Sequence, residues 1–212
     1  MFRRAVFFAL FLCLLTCLFL IRYGKTGSFL LINRSHNPAL DLFFTYWTFL
    51  GDGLIYIPLL VYCIFFNRRL AIPVVLSILI CLVLTHFFKR VVFPEALRPL
   101  SLEAQQITVH KVEGLHINRV HSFPSGHTAI AFTTALLLVS VLKRGAWTFL
   151  VMLVPFLVGY SRVYLAQHYV IDVLGGMLIG IATAVLSIWW QPAVSRALPK
   201  KVHLQKRERK AA

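Results

Sequence analysis

Apolar residues occur along this chain in blocks that could each form a whole helix, not as stripes alternating with polar positions. The first block is 5–21, broken only by Thr16 and preceded by Arg3 and Arg4. Further blocks lie at roughly 53–66, 70–88, 124–142, 145–166 and 169–190. A segment apolar on every side predicts a helix surrounded by protein or by lipid, not one lying on a water-washed surface. Several blocks are near the lower length limit for crossing a hydrocarbon core of about 30 Å. The second borrows length from the aromatic stretch 42–50, since "LFFTYWTFLGDG" runs straight into it. No small-residue cleavage site follows the first block, where Arg22 and Tyr23 come next, so it reads as a retained helix and not a signal peptide.

One segment breaks the pattern. Residues 89–123 are mixed and polar, contain Pro94, Pro99 and Gly114, and join the third block to the fourth; connections of this length usually carry function or are disordered. The expected fold is therefore all-α, a polytopic membrane protein with six transmembrane helices and an extracytoplasmic loop region between helices 3 and 4. Residues 1–190 form one integral-membrane domain, and 191–212 form a basic cytoplasmic tail.

Composition agrees with this class: 59% of residues are apolar and the mean hydropathy is +0.78, too little polar surface for a soluble domain of this length. Charge adds a direction. Lys and Arg number 22 against 7 Asp and Glu, and the pairs Arg3–Arg4, Arg68–Arg69 and Lys143–Arg144 alternate along the chain with the tail so as to place both termini inside. The tail reads as a topogenic anchor and not a nucleic-acid arm; the excess of positive charge suits anionic headgroups or phosphorylated ligands. Cys13, Cys17, Cys63 and Cys81 all lie within apolar blocks without motif spacing, so they read as packing residues.

Three polar clusters fall on the outer face in this topology, although it was drawn from loop charge alone. Lys89, Arg90 and Arg98 leave the third span; Ser125, Gly126 and His127 enter the fourth, within "FPSGH"; Ser161 and Arg162 end the fifth, with His168 and Asp172 opening the sixth. His168 and Asp172 are four apart, which on a helix puts them on one face. A carboxylate there can accept Nδ1–H of the imidazole and leave Nε2 free. Pro124 and Ser125 suit a first helical turn and its cap, and the free N–H groups of a helix start cradle anions. His127 then stands where it could protonate a leaving oxygen. Lys89, Arg98 and Arg162 are clamps for a phosphoryl group.

These residues are similar to the motifs of the type-2 phosphatidic acid phosphatase superfamily, which includes lipid phosphate phosphatases and resembles vanadium haloperoxidases. Its second motif, Pro-Ser-Gly-His, stands complete at 124–127, and its third, Ser-Arg, five residues, His, three residues, Asp, at 161–172. The first motif departs. Eight residues separate Lys89 from Arg98–Pro99 where the family has six, and Val91 occupies the expected lysine position. A two-residue insertion with Lys89 still reaching the phosphate is the preferred repair, with Arg90 as the alternative. The resemblance implies a lipid phosphatase that works without a cofactor or metal. His168 would attack phosphorus, Asp172 would orient it, and His127 would protonate the departing oxygen. Lys89, Arg98, Arg162, Ser125 and the Gly126 amide would hold the equatorial oxygens, and water would then hydrolyse the phosphohistidine.

The implied substrate is a phosphomonoester or diphosphate of a membrane lipid, such as undecaprenyl diphosphate, phosphatidylglycerol phosphate, phosphatidic acid or a lipid A phosphate. The implied setting is a bacterial inner membrane with the site facing outward. Two other readings compete. His110, His116 and His121 share one loop and raise a metal-dependent hydrolase, although their spacing matches no compact ligand set. A non-enzymatic transporter or scaffold binding an anionic headgroup would account for the spans, but not for two histidines, an aspartate and three cations on one face.

Overall fold

The structure, a computed structural model, describes residues 1–141 and 147–197. The expected inner loop at Lys143–Arg144 and the tail from 198 onward lie outside the described residues. Among the described residues, seven α-helices carry the fold: α1 (Phe2–Asn33), α2 (Pro38–Trp47), α3 (Tyr56–Phe65), α4 (Ala71–Phe87), α5 (Gly126–Val141), α6 (Trp147–Tyr164) and α7 (Val170–Ala197). Among the described residues four helices are long and apolar enough to cross a membrane: α1, α4 with its π-helical extension to Val92, α6 and α7. The pair α2–α3 makes a fifth candidate, bent by 57°.

Two boundaries differ from the sequence expectation. The first helix runs to Asn33, well past the apolar block, because the chain absorbs a break at Gly24 (φ 66°, ψ 178°) and resumes helical geometry. Such a positive φ is open to glycine at little cost. The second span does not run straight. Two 3₁₀ turns, Thr48–Gly51 and Gly53–Ile55, separate α2 from α3, and the side chain of Asp52 caps the second by accepting from Leu54 N–H at 2.9 Å.

α5 is the centre of the bundle. Its buried residues lie on every side, from Thr128 and Ala129 to Leu137 and Val139. Its threonines are buried at little cost, because Thr133 and Thr134 donate to the carbonyls of Ala129 and Ile130 one turn back, at 2.8 and 3.0 Å. α7 lies against α5 through a small-xxx-small pair, Gly176 and Gly180. A Cβ at Gly176 would stand 2.5 Å from the Ser125 carbonyl oxygen, and one at Gly180 would stand 2.6 Å from that of Ala129. Within lipid, this close backbone approach is what holds helices together, since burying apolar side chains gains little there. The outward faces of α1 and α4 stay exposed and apolar, with Phe7, Phe11, Leu14 and Leu18 on one and Leu79, Leu82 and Val83 on the other. All four cysteines are free, with Cys13, Cys63 and Cys81 buried.

Helix direction sorts the charges. The Phe8 ring meets Phe149 in the first turn of α6, and Asn33 donates to the Tyr164 carbonyl in its last turn, so α1 and α6 run parallel. The C-terminal ends of α4 and α6 and the N-terminal ends of α5 and α7 therefore share one end of the bundle with Asn33. Arg3, Arg4, Arg68 and Arg196 lie toward the other.

The connection 93–125 is folded back over the first of these ends. It carries a 3₁₀ helix, Pro99–Gln105, and pairs with itself through Arg98 N–H to the Arg119 carbonyl and Ser122 N–H to the Ala96 carbonyl, both 2.9 Å. Asn33 clamps it from α1, donating to the His110 carbonyl at 3.1 Å and accepting from His110 N–H at 2.9 Å.

Gly176→Ala should force the Ser125 carbonyl or α7 itself to move, an overpacking cost of about 1–3 kcal/mol. The melting midpoint in detergent should fall, whereas Gly27→Ala, whose Cβ would meet only Tyr23 Cβ at 3.8 Å, should leave it in place.

Candidate active site

The three polar clusters meet at this end of the bundle, and each is held there by a different local device. Ser125 is the cap of α5: its Oγ accepts from Thr128 Oγ1 at 2.9 Å and from Thr128 N–H at 3.4 Å. Its own N–H donates to the Asp172 carbonyl at 2.9 Å, so the start of α5 is tied directly to the first turn of α7.

Asp172 is the third residue of α7. Its Oδ2 accepts from Tyr169 N–H, the residue just before the helix, at 2.8 Å, in the manner of a capping box. Ser122 Oγ donates to the same oxygen. His168 precedes α7 and does not lie on it, which corrects the expectation that the pair shares a helical face. It is brought to Asp172 instead by the turn that ends α6, in which Gln167 and His168 N–H both return to the Arg162 carbonyl at 2.9 and 3.1 Å. His168 Nδ1 then stands 3.5 Å from Asp172 Oδ2, in ion-pair range without hydrogen-bond alignment. The residue is 2% exposed, and burial pushes the imidazole down to about 3, so it is neutral across the physiological range.

The cations surround this pair. Arg162 is buried, donates from Nη1 to Thr48 Oγ1 at 2.8 Å, and keeps its buried Nε without a partner among the described residues. Arg98 is buried too. Its Nε donates to the Val120 carbonyl at 3.1 Å, and its Nη1 donates to the carbonyl and Oε1 of Gln167 at 2.9 and 3.1 Å. Lys89 sits on the π-helical turn Phe88–Val92, its Nζ 3.9 Å from where a Cβ of Gly126 would be. Of the two candidates for the first motif, Lys89 is the one that lies over the start of α5. Arg90, beside it, is exposed.

His127 faces Asp52 from the rim. Its Nε2 lies 3.7 Å from Asp52 Oδ2, with about a third of each side chain exposed. Gly51 makes this approach feasible, since a Cβ there would stand 2.6 Å from the His127 carbonyl oxygen.

All eight residues singled out from sequence thus gather at one end of the bundle. Four partners escaped that reading: Thr48, Asp52, Ser122 and Gln167. Asp52 carried a signal, as an acid between two glycines where the aromatic stretch 42–50 runs into the second apolar block, since ionisable groups within a span are functional candidates by default. The other three are neutral and fill no specified motif position, Gln167 falling in the five-residue spacer of the third motif. The loop histidines do not converge. His110 stacks on His36 with ring centroids 3.7 Å apart and pairs with Asp41 at 2.9 Å, while His121 lies on the side of the loop that faces Lys89. No group of three or more His, Cys, Asp or Glu among the described residues could hold a metal ion.

A family model described as the PAP2 superfamily matches residues 70–196. The chain is 37% identical to the bacitracin transport permease protein BcrC of Bacillus licheniformis over 75 residues, covering 35% of this chain and 36% of that one. It is 29% identical to the undecaprenyl-diphosphatase of Sulfolobus acidocaldarius over 162 residues, covering 76% of this chain and 75% of that one. Among solved structures, Aquifex aeolicus LpxE matches with a TM-score of 0.67 and 34% identity, over 78% of this chain and 94% of its own.

Thr48→Val keeps the shape of the side chain and removes the acceptor of the buried Arg162. A hydrogen bond to a charged group is worth about 1.5–3 kcal/mol, so the melting midpoint in detergent should drop, and Thr48→Ser should restore most of it.

Proposed function

This chain belongs to the PAP2 superfamily, and we propose that within it the chain is an integral-membrane lipid phosphatase acting through a phosphohistidine. The observation that carries the reading is the neutral, buried His168 between Asp172 and the guanidinium groups of Arg98 and Arg162. With Nδ1 turned to the carboxylate, Nε2 has a free lone pair at neutral pH and attacks phosphorus. Asp172 fixes the ring and offsets the positive charge that the ring acquires on forming the N–P bond. Lys89, Arg98, Arg162, Ser125 and the Gly126 N–H hold the non-bridging oxygens, positioning the group and stabilising its charge, which is most of what phosphoryl transfer requires. His127 delivers a proton to the departing oxygen, and Asp52 at 3.7 Å holds its ring over the site. Water, deprotonated by His127, then cleaves the phosphohistidine.

The six-span reading belongs to the same proposal. α5, 16 residues long and buried, would cross with its neighbours' support, and the bent pair α2–α3 would cross as one unit. Arg3, Arg4 and Arg68 at the end of the bundle away from the site favour a cytoplasmic position for that end and for both termini. The site would then face the extracytoplasmic boundary of a bacterial inner membrane, within one integral-membrane domain. Undecaprenyl diphosphate, phosphatidylglycerol phosphate, phosphatidic acid and lipid A phosphates are the candidate substrates.

Protein purified in detergent should release inorganic phosphate from a lipid phosphate with chelator present, and a strict requirement for added divalent metal would sink the mechanism. His168→Ala should reduce turnover to background, and His127→Ala should lower it by about 10²–10⁴-fold. Vanadate should inhibit by adopting the trigonal bipyramid of the transferred group; insensitivity would count against covalent attack.

A further inference from the structure

Lys89 and Arg98 have a second side. Beyond the phosphate cradle they line a cavity of about 400 Å³, shared with His86, Arg90, Arg119 and His121 and without a carboxylate in its lining. One wall is the end of α4 and its π-helical turn. His86 stands three residues before Lys89 and four before Arg90, and all three border the cavity. The other wall is the segment 118–121, held rigidly against Arg98 by the Arg98 N–H to Arg119 carbonyl bond and by Arg98 Nε to the Val120 carbonyl.

His121 is the telling residue on that wall. Its backbone is left-handed (φ 58°) although it is not glycine, and its Nδ1 is buried with no partner among the described residues. Strained positions of this kind persist where the surroundings hold them, and they cluster at ligand sites. Here the holding bonds are those of the two neighbours: the Val120 carbonyl to Arg98, and Ser122 to the Ala96 carbonyl and Asp172. His121 and the exposed Arg90 and Arg119 take no part in the single phosphoryl transfer proposed above.

We propose that this cavity is a second phosphate subsite, and that the preferred substrate is a lipid diphosphate. The proposal rests on His168 being the nucleophile. The terminal phosphate lies at His168, and the phosphate joined to the lipid lies among Arg90, Arg119 and His121, with Lys89 and Arg98 reaching both. Nε2 of His168 forms a bond to the terminal phosphorus. The bond from that phosphorus to the bridging oxygen breaks, its electron pair stays on that oxygen, and the lipid monophosphate leaves with the proton of His127. Water then attacks the phosphohistidine, returns a proton to His127 and releases inorganic phosphate. The subsite assists this cleavage and not that of a monoester, because the charge of the departing group develops on a phosphate that it already holds.

The test compares farnesyl diphosphate and farnesyl monophosphate as substrates of the full chain in detergent micelles, for wild type, Arg119→Gln and His121→Gln. Both altered side chains lie outside the cradle, and a melting midpoint measured on each protein checks folding. The expected result is a wild-type preference for the diphosphate. Each variant should then lose about tenfold or more in kcat/KM on the diphosphate and change less than about twofold on the monophosphate. Equal losses on both substrates, no loss on either, or a wild-type preference for the monophosphate would each overturn the subsite. Inorganic pyrophosphate inhibiting at concentrations as low as those of farnesyl diphosphate would mean a site for free anions and would also overturn it. His168→Ala is the separate control: activity surviving there removes the nucleophile, whatever the variants of the subsite do.

Discussion

The close approach of α5 to α7 is the constraint on which the site depends. Without side chains at Gly176 and Gly180, two backbones come near enough for Ser125 N–H to bond the Asp172 carbonyl at 2.9 Å. That one bond joins the cap of the helix carrying His127 to the first turn of the helix that follows His168. The same crowding recurs on the other side of α5, where Gly51 fits under the His127 carbonyl. The break between α2 and α3 falls at this place, and Asp52 is the next residue. A methyl group at any of these glycines would meet a backbone carbonyl oxygen at 2.5–2.6 Å and force the segments apart, and small misplacement of reacting groups is costly.

The polar groups inside this bundle are satisfied in an uneven way. Arg98 is bonded to neutral acceptors, two carbonyls and an amide, and Arg162 to a hydroxyl. Such bonds fix the direction of a guanidinium without cancelling its charge. Asp172 is the buried carboxylate set among them, with Asp52 at the rim, and its Oδ2 is already engaged by Ser122 and Tyr169. Buried charge that is hydrogen-bonded but not neutralised is costly in a protein without its ligand. In the proposed reaction a phosphate bound between these groups would relieve that cost, so the electrostatics that burden the fold would be the ones that bind the substrate.

Much of this was legible in the chain itself. The buried helices α5 and α7 begin within two residues of their apolar blocks, because Pro124, Ser125 and the polar run before Val170 are local signals. The convergence of three clusters was legible from charge topology and motif spacing. What escaped was non-local. Asn33 and His110 are 77 residues apart in sequence, and Gln167 and His116 are 51 apart; no spacing rule links such pairs, so the order of the connecting loop could not be read from its composition. The nearness of His168 and Asp172 was legible, but its cause was misread, and the expected Nδ1–H bond is replaced by a 3.5 Å approach without hydrogen-bond alignment. Four residues suggested a helical face, whereas a capped helix start and a closed turn produce the meeting.

The first motif shows how an irregular stretch can still be read physically. Its two extra residues put Val91 where the family has lysine, and spacing alone left Lys89 and Arg90 both open. The chain resolves this at the end of α4 by widening the helix. Phe93 N–H returns to the Phe88 carbonyl at 2.8 Å, a π-helical turn that holds an additional residue. Such turns are rare and recur at functional sites because they rotate side chains off the regular helical face. Here Lys89 lies over Gly126, and both it and the exposed Arg90 border the cavity shared with Arg119 and His121. The longer spacing of the first motif is thus accommodated by a π-helical turn that carries Lys89 over the start of α5 and leaves Arg90 exposed beside it.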